Sequence, residues 1–214
     1  MQHKGVQNDV HIWGRLTSIN VRKVVWAAQE VGVAFSRTDA GKAFGIVDTP
    51  QYRALNPNGL VPTLLDGPLV LWESNTIVRY LCASYAPDTL YPQALAKRFD
   101  AERWMDWQQT TLNRAGGGAF LQWIRTPSAQ RDAGIIAQSV AAMEPLLAML
   151  DFRFANQAYM VGDHFTMADI PIACEVHRWF GLPQPRPQWI HLERWFDAIL
   201  QRPATRGVLD LPLA

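Results

Sequence analysis

Asn56-Pro57-Asn58-Gly59-Leu60-Val61-Pro62-Thr63-Leu64 opens with four turn-forming residues and closes on an apolar run broken by one proline. Asn-Pro and Asn-Gly dipeptides are strong punctuation between elements. Two apolar runs follow, 61–65 and 69–72, separated by Asp66-Gly67-Pro68, which reads as a β-hairpin. Pro62 is tolerated near the start of the first strand because it removes one ladder donor only. Upstream, residues 10–13 have strand composition and end at Gly14. Val21, Val24, Val25, Ala28 and Val31 then recur at helical spacing, and Gly32 stands where a C′ residue would stop the helix. Residues 33–39 read as a second strand and 41–50 as irregular. Downstream, Ser74 is expected to cap a helix through Tyr85, with Ile77, Tyr80, Leu81 and Ser84 on one stripe. Residues 86–92 break the pattern.

Beyond Pro92 no strand pattern occurs. Residues 99–112 are helical in pattern. Ile136, Val140, Met143, Leu147 and Leu150 mark another apolar face. Ile170, Ala173, Val176 and Trp179 mark a third, and Leu192, Trp195, Phe196, Ile199 and Leu200 a fourth that Pro203 ends. Gly116-Gly117-Gly118 is expected to break or bend a helix. Strands first and helices afterwards predict an α+β module followed by an all-α module.

Composition excludes several classes. The 214 residues are 49% hydrophobic and 18% charged, with 20 Lys plus Arg against 19 Asp plus Glu. Disorder needs low hydrophobicity and high net charge, and a nucleic-acid binder usually carries a basic excess. Two cysteines, Cys82 and Cys174, are too few for a disulfide scaffold and are expected to be reduced and buried. No run approaches about 18 consecutive apolar residues, and the first ten residues lack the apolar centre of a secretory signal. A cytoplasmic protein without nucleic-acid or membrane partners is the expectation. No His/Cys cluster has metal-ligand spacing, and no glycine-rich loop has phosphate-loop spacing.

Three blocks in order carry a family resemblance. The segment quoted first resembles the NPxGxVPxL block of cytosolic glutathione transferases. Trp72-Glu73-Ser74-Asn75-Thr76-Ile77-Val78-Arg79-Tyr80-Leu81 resembles their E-S-x-x-I-x-x-Y-L helix, and Gly162-Asp163-His164-Phe165-Thr166-Met167-Ala168-Asp169 their G-D-x-x-[ST]-x-A-D block. The resemblance implies a thioredoxin-like N-terminal domain over 1–85, a linker over 86–91 and an all-helical bundle over 92–214. It implies glutathione as co-substrate, no metal, a homodimer and transfer of the glutathione thiolate to a small apolar electrophile. Within the family's range lie isomerases, dehalogenases and peroxidases of zeta-like type, and outside enzymes the same fold serves as a non-catalytic binding module.

A cis Pro62 would expose the N–H and C=O of Val61 to an extended peptide, which adds to the sheet as a short strand would. Glu73 and Ser74 lie at a helix N-terminus, where backbone donors and the dipole attract a carboxylate, while Glu73 suits the ammonium beside it. Thr166 and Asp169 have capping-box spacing and a structural role. The resemblance places the thiolate's donor just after the first strand. No Tyr or Cys lies between Val10 and Val24, so Ser18 is the leading candidate, as in the serine-type classes, with Asn20 and Thr17 as alternatives. Lys42 suits the glycyl carboxylate, with Gln51 and Arg53 behind it. The electrophile pocket is expected between the domains, from Leu16, Arg15, Arg114, Phe120, Trp123 and Trp179, with His177 as a further polar contact. The resemblance places Asp106 near the partner's glutathione.

Overall fold

The computed structural model describes residues 10–214; expectations for residues 1–9 lie outside it. A four-stranded sheet has the order β2-β1-β3-β4, with β1 over Val10–Trp13, β2 over Phe35–Thr38, β3 over Thr63–Asp66 and β4 over Leu69–Trp72. β1 runs parallel to β2 and antiparallel to β3, so Ile12 stands opposite Arg37 on one side and Leu64 on the other. β3 and β4 form the expected hairpin, with Asp66 opposite Leu69 across the turn. Period-two alternation divides β1: Val10 and Ile12 are buried, whereas Trp13 turns its ring to Tyr52 at 6.0 Å.

Helices α1 (Ile19–Glu30) and α3 (Ser74–Tyr85) pack against each other beneath the sheet. Their apolar faces, Val21, Val24, Val25 and Ala28 with Ile77, Val78 and Leu81, join Ile12 and Leu64 in the core. Sequence patterning did not foresee the short helix α2 (Pro50–Leu55). Thr49 caps it by accepting from the Tyr52 N–H, and Pro50 starts it, as Pro does at the first helical position. The Tyr52 hydroxyl bonds the Leu60 carbonyl and the Thr63 hydroxyl, while the Asn56 amide donates to the same two groups. The Asn-Pro-Asn-Gly turn is thereby held against β3. This arrangement is the thioredoxin-like fold.

The second half is helical: α4 (Leu95–Trp107), α5 (Asn113–Phe120), α6 (Ala133–Ala155), α7 (Asp169–Phe180) and α8 (Ile190–Leu200). The three glycines do not break the chain's path. They lie inside α5, which continues α4 through a π-helical segment over Gln108–Leu112 and runs into a second over Leu121–Arg125. A Cβ at Gly116 would meet Glu175 Oε1 at 3.2 Å, and one at Gly118 would meet Ile135 Cγ2 at 3.1 Å. The glycines let α6 and α7 approach closely; helix propensity gives way to packing.

Asp169 anchors this half. Its fully buried carboxylate accepts from the Met160 and Thr166 N–H groups, each at 2.9 Å, and from Trp195 Nε1 at 3.1 Å. That is the reciprocal arm of the expected capping box, although Thr166 Oγ1 accepts from the Ala168 N–H instead of from Asp169. Burial pushes the Asp169 carboxyl up to about 6, against the pull of these donors.

α6, at 23 residues, is long and apolar enough by length and composition to cross a membrane. Gln138, Ser139 and Glu144 interrupt its apolar run, and it buries one face only, through Met143, Leu147, Leu150 and Phe154, while Ile135, Met149 and Phe152 stay exposed. Phe154 stacks on Trp195 of α8 at 4.4 Å between ring centroids.

Candidate functional site

The site forms where the ends of β1, β3 and β4 meet the first turns of α1 and α3. The Val61–Pro62 peptide is cis, and neither the N–H nor the C=O of Val61 makes a hydrogen bond among the described residues. Glu73, at φ 70, precedes α3, and Ser74 is its first helical residue. The expected cap is therefore displaced by one position: Glu73 holds the N-cap place, in a conformation that costs an L side chain about 1–3 kcal/mol. Its carboxylate makes no ion pair among the described residues. Ser74 Oγ donates to Asn20 Oδ1 at 3.3 Å, so Asn20 stands beside the N-terminus of α3.

Ser18 occupies the N-cap of α1 with an extended backbone, yet its side chain makes no capping bond. An N-cap serine ordinarily accepts from the second or third helical N–H. Here the hydroxyl is left open to a cleft of about 180 Å³ between the sheet domain and the helical domain. Thr17 lines the same cleft. Lys42 reaches it from a tight turn over Lys42–Phe44, exposed and with a φ of 56.

Of the expected pocket residues, Arg15 and Phe120 line this cleft. Leu16 packs against the core, and its carbonyl accepts from Arg22 Nε at 2.7 Å. Arg114 lies in a separate groove between α5 and α6. Trp123 carries the Arg131 guanidinium over its ring at 5.1 Å, and Trp179 is buried behind Gly116. Asp106 pairs with Arg79 of α3 within the same chain. Arg53 pairs with Asp48 at 2.9 Å.

The cleft also holds residues that sequence reading missed or left in second place: Arg22, Arg125, Cys174, His177 and Arg178. Arg22 repeats one helical turn beyond Ser18, and Cys174, His177 and Arg178 share one face of α7, so the spacing existed within each helix. The pairing of α1 with α7 did not. Both cysteines are free and buried, and burial raises each thiol to about 12. Burial and the neighbouring Arg22 lower His177 to about 4, so it is neutral at pH 7.

Two family profiles match the chain: "Glutathione S-transferase, N-terminal domain" over residues 8–83 and "Glutathione S-transferase, C-terminal domain" over residues 118–203. The chain belongs to the glutathione S-transferase family. It is 39% identical to Glutathione S-transferase GstB of Escherichia coli K12, over 96% of this chain and all of that one. It is 48% identical, with a TM-score of 0.93, to a theta class glutathione S-transferase of Xanthomonas axonopodis pv. citri solved with glutathione bound, over 97% and 100% of the two chains. Glutathione S-transferase 3 of Zea mays is 29% identical over 94% of each chain. With two named transferases of the family matched end to end, this transferase-family chain is an enzyme. Among its described residues no group of three or more His, Cys, Asp or Glu side chains could hold a metal ion.

Proposed function

We propose that the chain binds glutathione along the cis-proline edge and transfers its sulfur to a small electrophile, as a serine-type transferase. The open N–H and C=O of Val61 suit backbone pairing with the cysteinyl unit. The N-terminus of α3 and Ser74 suit the γ-glutamyl carboxylate, with Glu73 for its ammonium and Lys42 for the glycyl carboxylate. The sheet domain to residue 85 then supplies the peptide site, and the helical domain from 92 supplies the far wall. The two domains form one subunit of a homodimer, in the reducing cytoplasm where glutathione is held.

The observation that carries this reading is the Ser18 hydroxyl, at the positive end of α1 and free of the capping bond it would ordinarily make. A thiol of pKa near 8.5 is a few per cent ionised at pH 7. Lowering it by two units takes about 2.7 kcal/mol of preferential thiolate stabilisation. One hydroxyl donor and a helix terminus together reach that order. The thiol proton leaves to solvent, the sulfur–carbon bond forms, and the leaving group departs with the electron pair of its own bond. Asn20, already accepting from Ser74, is better placed for the γ-glutamyl end than for the sulfur.

Ultraviolet titration of the bound thiol in wild type, Ser18→Ala, Asn20→Ala and Thr17→Ala tests this. A pKa near 6.5 in wild type that rises by one to two units in Ser18→Ala alone is expected. A free-solution pKa in wild type would favour a non-catalytic module.

A further inference from the structure

The co-substrate was expected to be apolar, but the cleft wall carries several cations. Arg15, Lys42 and Arg125 all line it, and none makes an ion pair among the described residues. No aspartate or glutamate side chain lines it; the last residue, Ala214, lines it too and makes no ion pair among the described residues. Two further arginines in the wall are occupied. Arg22 donates to the carbonyls of Leu16, Leu211 and Pro212, and Arg178 pairs with the buried Glu175. Arg15 is different: its Nε is buried without a partner. Arg125 makes one long bond, to the Thr17 carbonyl at 3.4 Å, and lies over the Phe120 ring at 5.6 Å. The two guanidiniums also repel each other, and that repulsion, after burial, lowers Arg15.

Like charges gathered in a half-enclosed cleft are unfavourable unless an anion joins them. Glutathione brings two carboxylates, and both have places: the N-terminus of α3 and Lys42. Arg15 and Arg125 are then left over, beside the apolar face of Phe120. We propose that the electrophile side of the cleft selects an anionic co-substrate, an apolar ring or chain carrying a carboxylate or a similar anion that Arg125 and Arg15 hold. The inference rests on the glutathione reading above and specifies the second substrate's charge.

The test compares two stable conjugates that differ only in charge, S-(4-carboxybenzyl)glutathione and S-(4-carbamoylbenzyl)glutathione, with glutathione itself, by titration calorimetry on the full chain. The carboxylate should bind about tenfold or more tighter than its isosteric amide, the size of one charge-assisted contact. That ratio should fall toward one in Arg125→Gln and shrink in Arg15→Gln, whereas Lys42→Gln should weaken both conjugates in the same proportion. Equal binding of the two conjugates by wild type, with glutathione bound, would overturn this inference and leave the glutathione reading standing. A preference that survives in both arginine variants would also overturn it, because the anion would then be held elsewhere. If glutathione fails to bind, the reading beneath falls and the inference falls with it.

Discussion

At the scale of single residues, several donors converge on the fully buried carboxylate of Asp169. Met160, Thr166 and Trp195 all donate to it. Asp169→Ala strands all three donors, and each buried orphan costs about 1–3 kcal/mol, so a loss of about 3 kcal/mol or more is expected in chemical denaturation. The pH dependence has a definite sign. Burial raises the folded-state carboxyl to about 6, above its unfolded value, so the folded state binds the extra proton. Its contribution is greatest below about pH 4 and is lost as pH rises toward 6. The stability of wild type relative to Asp169→Asn should decline across that window and be level above it. The sequence showed Asp169 as a capping residue from its spacing to Thr166. It could not show Met160 and Trp195 arriving from 9 and 26 residues away.

At the scale of elements, turn chemistry was legible and packing was not. Asn56-Pro57-Asn58-Gly59 and Asp66-Gly67-Pro68 located the hairpin because those residues act locally. α2 escaped because six residues are too few to display a helical period. The glycine run misled for the opposite reason: its local preference against helix yields to the neighbours it admits. Positions along α5 therefore respond differently. Gly117 has nothing within 4 Å of an added Cβ, so Gly117→Ala should stabilise by about 0.5–1 kcal/mol. Gly116 faces Glu175, Met143 and Trp179, so Gly116→Val should destabilise by about 1–3 kcal/mol through overpacking. Thermal melts of the two variants should shift in opposite directions. The cationic cleft was illegible for a related reason. Arg125 is brought over the Thr17 carbonyl, 108 residues away in sequence, by the path of a long helix and its π-helical end.

At the scale of the whole molecule, the two halves share one core and one polar network. Lys23 of α1 is fully buried and donates to Gln108 Oε1 at 2.8 Å and Gln109 Oε1 at 2.9 Å; Gln108 in turn donates to Glu175, which pairs with Arg178. Burial lowers the Lys23 ammonium to about 8, below its unfolded value. The unfolded chain therefore binds more protons than the folded one between about pH 8 and 10.5, and stability from this group rises through that window. Denaturation of wild type and Lys23→Met at pH 7 and pH 10 should show the difference moving toward wild type at the higher pH.

The position of α1 has a further consequence for heredity and engineering. The helix packs on α3 with one side and on α7 with another, so it serves two masters in different halves of the sequence. A gene cut between residues 85 and 92 would leave its α7-facing side in water, with a lysine built for the interior of another module. Recombination that joins the front of one such chain to the back of another must exchange α1 and α7 as a matched set. The unit of inheritance here is a pair of helices about 150 residues apart, and the stretch between α3 and α4 is a misleading place to cut.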